Sequence, residues 1–328
     1  MKTALLFVIF NRPETTTLVF NQIRKAKPPR LYVAADGPRA EKAGESDLCF
    51  ITREIINNID WECEVKTLFR DENLGCKQAV SSAVTWFFEN EEEGIILEDD
   101  CLPADSFFSF CETLLEKYRY DTRIRHITGC NLQMGKKWGT GSYYFSNMTH
   151  VWGWAGWRRV WQDYDKDLNR YNATEIPERM KNIFGDEWIA KTLAEVFNEV
   201  KNGKIDTWDY QLDFANYFNN GLTIIPNENL ISNIGFGAAA THTIDGTSIY
   251  ANMPLGELSE IVHPLYVMPE KQADLSVLMR DFRIEKRKRK HNKLSRRFKR
   301  WFKSKLMSVG NIIKKDRPGD VRWTVPLS

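Results

Sequence analysis

The chain has 328 residues, 42% of them hydrophobic, enough for one large or two modest domains with an ample core. Its formal charge of +2 hides an asymmetry: residues 286–305 hold 12 of the 46 Lys/Arg and no Asp/Glu, leaving 34 basic against 44 acidic residues elsewhere, a net of −10. An acidic body repels nucleic acid, so no nucleic-acid partner is expected and any polyanion binding belongs to the basic segment. The six cysteines show no C-x-x-C spacing, which argues against a zinc site or a disulfide framework and for reduced thiols. No apolar run approaches the roughly 20 residues that span a bilayer.

In chain order, apolar runs alternate with helix-like patterns. Strands are expected at 4–10, 31–35, 64–69, 94–97 and 125–128, and helices at 14–25 (opened by Pro13), 48–58, 75–88 and 107–118. Such β-α repetition predicts a mostly parallel sheet with right-handed crossovers. No G-x-G-x-x-G follows the first strand and no G-x-x-x-x-G-K-[ST] occurs, which removes a dinucleotide fingerprint and a P-loop. From about residue 139 the texture changes. Strands are expected at 143–145 and 222–226, and helices at 155–161, 187–200 and 206–218. A small-residue loop follows, Asn233-Ile234-Gly235-Phe236-Gly237-Ala238-Ala239-Ala240-Thr241-His242, of a kind that is usually functional.

The chemistry concentrates where strands stop. Glu98-Asp99-Asp100 ends the apolar run Gly94-Ile95-Ile96-Leu97, which delivers three carboxylates to the carboxyl edge of a sheet, where open α/β folds bind ligands. Crowded carboxylates repel unless a cation lies among them, and hard oxygens suit Mg²⁺ or Mn²⁺, with phosphate oxygens completing the shell. An acidic cap on a loop is the bland alternative. Asn11-Arg12 and Asp36-Gly37 end neighbouring strands. Arg12 could meet a diphosphate and Asp36 a base or ribose, or they are an exposed arginine and an Asp-Gly turn. Arg70-Asp71-Glu72-Asn73-Leu74-Gly75 closes the third strand, with Asn73 as a cap and Lys77 one turn into the helix. Trp152, Trp154 and Trp157 read as core and pocket wall or as sugar platforms, and Glu91-Glu92-Glu93 as a solvated turn.

Taken together, residues 4–245 resemble the GT-A glycosyltransferases, most of all the inverting N-acetylglucosaminyltransferases acting on glycoprotein mannose arms and their bacterial relatives. The matching stretches are Glu98-Asp99-Asp100 with Cys101-Leu102-Pro103-Ala104-Asp105 and the helix after it, Gly153-Trp154-Ala155-Gly156-Trp157, Thr207-Trp208-Asp209, and the loop from Pro226 to His242. The resemblance implies an α/β, Rossmann-like, mostly parallel sheet flanked by helices, with a nucleotide-sugar half (1–130), a mixed acceptor half of the same domain (131–269) and a basic tail (270–328). It implies that Asp100 binds the metal (Mn²⁺ or Mg²⁺), completed by His242. Donor contacts would come from Asn11, Arg12, Asp36, Gly37, Arg70, Lys77, Glu98, Asp99 and Trp208, and Asp209 would deprotonate the acceptor hydroxyl. The bland reading of Asp209 is an acid favoured by the dipole of a helix start. The anchor and stem of the secretory-pathway enzymes are not seen in this chain, and the acceptor half departs from the family's.

In the tail, Leu294, Phe298, Trp301, Phe302, Leu306, Val309 and Ile313 recur in steps of three and four, which puts an apolar stripe against a basic face. A helix of this kind suits an anionic leaflet; docking on the body is the alternative. The expectation is a cytoplasmic, metal-dependent, inverting glycosyltransferase, peripheral at the inner face of the cell membrane, taking a nucleotide-sugar donor (a UDP-sugar) to a hydroxyl of a glycan or lipid-linked glycan. A sugar-1-phosphate nucleotidyltransferase would share the sheet but carry a Gly-rich, Arg-containing loop after the first strand, where this chain has Asn11-Arg12-Pro13-Glu14. A non-catalytic membrane scaffold would have no use for Asp100 or Asp209.

Overall fold

The computed structural model describes residues 1–237, 248–293 and 298–301. In chain order its elements are β1 (Leu5–Ile9), α1 (Pro13–Ala26), β2 (Arg30–Ala35), α2 (Glu45–Glu54) running into a 3₁₀ turn (Ile55–Asn58), β3 (Glu64–Phe69), α3 (Gly75–Asn90), β4 (Glu93–Glu98), β5 (Cys101–Pro103), α4 (Asp105–Tyr118), β6 (Ile124–Thr128), β7 (Tyr143–Ser146), β8 (Trp154–Trp157), α5 (Arg158–Trp161), α6 (Ile176–Phe184), α7 (Glu187–Lys201), α8 (Asp209–Phe218), β9 (Leu222–Pro226), β10 (Ile231–Asn233), α9 (Lys271–Asp281) and α10 (Ile284–Asn292).

Among the described residues, eight strands form one sheet in the order β3-β2-β1-β4-β8-β6-β9-β7. The pairs β3/β2, β2/β1, β1/β4 and β6/β9 are parallel, whereas β8 runs antiparallel to both β4 and β6, and β7 antiparallel to β9. The architecture is therefore α/β with a parallel half and a mixed half. A separate ribbon pairs β5 with β10 and brings Cys101 opposite Asn233.

The alternation of side chains divides the core into two layers. Leu5, Phe7, Ile95, Leu97, Ala155 and Trp157 face α1 and α4 residues such as Phe20 and Phe110. Leu6, Ile96 and Trp154 face α3 (Val84, Phe87, Phe88) together with Trp161, Trp208 and Leu212. Strands buried on both faces read as continuous apolar runs, which is why β1, β2 and β4 were legible. Gly94 belongs to this packing: a Cβ there would lie 2.2 Å from the Phe87 ring.

Two expectations are corrected, and for two tryptophans the core reading is borne out. Residues 155–161 do not form one helix. Trp154–Trp157 is a strand, because pairing with β4 and β6 satisfies its backbone on both sides, and only Arg158–Trp161 turns into helix. Tertiary pairing overrides local propensity here. Glu91-Glu92-Glu93 is not simply solvated, since Glu91 binds Arg30 at 2.7 Å and Glu93 binds Arg119 at 2.7 Å. Trp154 and Trp157 are 3% and 2% exposed, so they are core and offer no face to a sugar.

The chain packs as two compact units, Met1–Leu278 and Met279–Ser328. In the second, α10 exposes Lys286, Arg287, Arg289 and Lys290, and Phe298 and Trp301 are 68% and 53% exposed. The other stripe residues, Leu294, Phe302, Leu306, Val309 and Ile313, lie outside the described residues. No described helix is long and apolar enough to cross a membrane.

His126 on β6 is 1% exposed, stacks on Trp154 (centroids 5.1 Å apart), and its Nε2–H donates to the His150 carbonyl at 2.9 Å. Burial pushes its pKa down from 6.5 to about 4. The unfolded chain therefore takes the proton first: stability is intact above about pH 6.5 and is lost as pH falls toward 4. Relative to His126→Gln, the wild type should lose about 2 kcal/mol between pH 7.5 and about pH 5. Parallel urea titrations would read this, and equal pH slopes would contradict it.

Candidate functional site

Four chain segments converge at the carboxyl ends of β1, β2, β3 and β4. After β1, Phe10-Asn11-Arg12 leads into α1, whose first turn is set by Pro13 at the position where a missing N–H costs nothing. After β4, Asp99 turns back and its Oδ2 accepts the Phe10 N–H at 3.1 Å. Arg12 lies across the acidic turn, with Nη1 2.9 Å from Asp100 Oδ2 and Nε 3.9 Å from Asp99 Oδ1. The second Asp100 oxygen accepts the Cys101 thiol at 3.5 Å.

Asp36 ends β2 with both oxygens in use. Oδ1 accepts the Gly37 and Leu74 N–H groups at 3.0 Å, and Oδ2 accepts Asn73 Nδ2 at 2.9 Å and the Leu74 N–H at 3.1 Å. Its carboxylate ties the β2 turn to the start of α3, and burial pushes its pKa upward. Gly37 fits because a Cβ would sit 2.4–2.6 Å from the Glu72 backbone. Asn11 Nδ2 donates to Glu45 at 2.8 Å, which also accepts the Arg39 N–H at 2.7 Å. The Arg39 guanidinium holds the Glu45 pKa down at about 2 and lies over the Phe10 ring at 5.6 Å.

These segments enclose a cavity of about 240 Å³. Arg12, Arg39 and Arg70 line it together with Asp36, Glu98, Asp99 and Asp206, and its apolar wall includes Val8, Ala35, Ala79 and Val80. Arg39 and Asp206 were not anticipated. Asp206 reaches in from the segment before α8 and accepts the Lys77 N–H at 3.3 Å, capping α3 from outside. Its proximity to Asp209 in sequence was the available signal. Arg39 had none, since it stands in a polar loop.

Negative charge dominates the acidic corner. Glu98 is pushed up to about 8 by burial and by Asp100, Asp99 and Asp209. Asp99 is pushed upward by burial, against the pull of Arg12. Asp209 opens α8, and its Oδ1 accepts the Thr207 hydroxyl and the Tyr210 N–H, the latter at 2.9 Å. Its influence on Glu98 sets it within electrostatic reach of the acidic corner, although it does not line the cavity.

Four expected donor contacts do not line the cavity: Asn11, whose amide is held by Glu45, Gly37 in the β2 turn, Trp208 and Lys77. Asp100, the expected metal ligand, stands at its edge outside the lining. Trp208 is 3% exposed and stacks on Trp154 with centroids 6.0 Å apart, because the α8 start is sealed onto the sheet. The Lys77 ammonium binds Asp167 at 2.8 Å and does not line the cavity. His242 lies outside the described residues. Residues 234 and 235 run against the acidic turn: the Ile234 N–H donates to the Asp100 carbonyl at 2.8 Å, and a Cβ on Gly235 would sit 2.2 Å from Asp100 Oδ2 and 2.6 Å from Arg12 Nη1. Phe236 packs edge-on against Trp152 at 5.7 Å.

Among the described residues, no group of three or more His, Cys, Asp or Glu is arranged to hold a metal ion. A cage made by the protein alone does not fit. What fits is the mode in which one or two carboxylates bind Mg²⁺ or Mn²⁺ and phosphate oxygens and water supply the rest. Asp100, 15% exposed in its side chain and already facing a cation in Arg12, has the chemistry for that role.

No family model and no curated protein matches this chain. Among solved structures it is similar to HddC from Yersinia pseudotuberculosis (10% identity, 49% of this chain and 80% of that one, TM-score 0.31). It is similar also to a UDP-glucose pyrophosphorylase without ligand (9%, 69% and 90%, 0.35) and to a 4-diphosphocytidyl-2C-methyl-D-erythritolsynthase from Anaerococcus prevotii DSM 20548 (11%, 66% and 98%, 0.33). At these scores the likeness says nothing about what this chain binds.

Gly37→Ala should cost about 1–3 kcal/mol, since its methyl would meet backbone and not a movable side chain. Chemical denaturation measures this; a cost under about 0.5 kcal/mol would mean that the Glu72 segment yields freely.

Proposed function

We propose that this chain is an enzyme that binds a nucleotide sugar at the carboxyl ends of β1, β2 and β4 and transfers the sugar to a hydroxyl. The observation that carries the reading is the cavity itself: an apolar slot beside three guanidiniums, opening at an acidic corner that Asp209 influences from another element. A flat base suits the walls made by Ala35, Ala79 and Val80. Arg12 offers a diphosphate the paired N–H donors through which guanidinium binds it. Arg70, held to Ser82, adds positive charge beside it, while Arg39 is paired with Glu45. Asp36 and Gly37 act by fixing the β2 turn that forms one wall. Asp100 is the residue that would hold Mn²⁺ or Mg²⁺, which when bound offsets charge growing on the leaving diphosphate.

Asp209 is assigned the base. Thr207 and Tyr210 occupy its Oδ1 and fix the carboxylate, which leaves Oδ2 for the acceptor proton. A base acting from the face opposite the departing group gives inversion at the anomeric carbon, as in inverting hydrolases. The acceptor is a glycan or lipid-linked glycan precursor, and the basic tail would meet an anionic membrane surface through α10 and the residues after it.

One observation favours a second reading. Three arginines on one small cavity also suit a nucleoside triphosphate, as in a sugar-1-phosphate nucleotidyltransferase. The two separate by product. Release of UDP from a UDP-sugar with MnCl₂ and a glycan acceptor supports transfer; release of pyrophosphate from a nucleoside triphosphate and a sugar 1-phosphate supports the second reading. Binding of neither nucleotide in calorimetry excludes both.

Asp209→Asn should lower transfer by about 10²–10⁴-fold, the range for loss of a general base, with UDP-sugar affinity within about twofold of wild type. Turnover near the wild-type rate would place the base elsewhere.

A further inference from the structure

We propose that Arg12 is the resident counter-cation of the ligand-free site, holding Asp99 and Asp100 until a diphosphate draws it away, so that a divalent ion gains Asp100 only together with the nucleotide. The inference rests on the nucleotide-sugar reading above and adds an order to it.

The geometry allows one cation at a time. Arg12 Nη1 occupies Asp100 Oδ2 at 2.9 Å, and Gly235 passes so close that a single added carbon would lie within 2.2 Å of that oxygen and 2.6 Å of that nitrogen. A divalent ion on the same oxygen would stand at contact distance from the guanidinium, where two like charges repel most strongly. One of the two must leave.

Arg12 is the one equipped to move. Its backbone is fixed: its carbonyl accepts the Thr16 N–H at 3.0 Å and the Thr16 hydroxyl at 2.6 Å, and Pro13 follows. Its side chain is less tightly bound. Nε is buried with no hydrogen-bond partner, 3.9 Å from Asp99, a state that costs free energy until an acceptor arrives. Arg12 lines the cavity in which a diphosphate would lie, and phosphate oxygens offer that acceptor. Arg39 and Arg70 are engaged by Glu45 and Ser82, so the exchange of partners falls to Arg12. When it swings from Asp100 to a phosphate, the acidic corner loses its neutralising charge and gains affinity for a divalent ion at the same moment. The coupling is reciprocal, as linkage requires.

Arg12→Met tests this through binding rather than activity. Calorimetry with MnCl₂ alone should show Arg12→Met binding Mn²⁺ about tenfold more tightly than wild type, within the usual range for coupled sites. With EDTA present, its UDP affinity should fall about tenfold. Arg12→Gln should behave like Arg12→Met, and Arg12→Lys, which keeps the charge, like wild type; together they guard against a misfolded single variant. Mn²⁺ affinity in Arg12→Met and Arg12→Gln equal to or below that of wild type overturns the proposal, even where UDP still binds. If wild type binds neither UDP nor a nucleoside triphosphate, the nucleotide reading falls and the exchange partner with it, whereas the Mn²⁺ comparison still reports on Arg12 alone.

Discussion

Negative charge at the end of a buried strand is the constraint on which this structure turns. β4 is apolar and covered on both faces, so Glu98, Asp99 and Asp100 emerge where water is scarce and a bare carboxylate is costly. The fold answers with a backbone N–H from Phe10, a guanidinium from Arg12 and a thiol from Cys101. These answers leave the corner undercompensated, as the upward displacement of Glu98 to about 8 records. Near neutral pH such a carboxyl holds its proton, and displaced titrations of this kind are common where ligands bind.

The surrounding elements are arranged to hold that corner still. Asp36 spends every lone pair on the turn after β2 and the entry to α3. Gly37 and Gly235 allow backbone to approach where any side chain would collide, the first against Glu72 and the second against the Arg12–Asp100 pair. The β5–β10 ribbon follows directly from the acidic turn and leads into Gly235, tying the loop to the carboxylates by chain connectivity as well as by the Ile234 hydrogen bond. The aromatic stack of His126, Trp154, Trp161, Trp208 and Tyr164 lies beneath α8 and supports the helix that begins with Asp209.

Much of the first half was legible because parallel strands with both faces buried produce unbroken apolar runs, and Pro13 and Gly75 punctuate the helices that follow. The 64–69 strand matches the structure residue for residue, and 75–88 extends only to Asn90. The second half was harder to read. The 154–157 strand is four residues long and rich in Trp and Gly, with no alternation to mark it; only its neighbours β4 and β6 make it a strand. The expectation that Trp208 faces a sugar came from resemblance, and the residue is buried because its indole completes the stack on Trp154.

The sequence alone determined that carboxylates, an arginine and an Asp-Gly turn stand at strand ends, since strand periodicity and chain order decide which side chains reach a sheet's edge. Only the tertiary structure decided which of them meet. Arg12 and Asp100 are 88 positions apart, and Asp206 and Lys77 are 129 apart; their pairing depends on the order in which strands assemble. No local pattern encodes that order, because it follows from covering apolar faces across the whole chain.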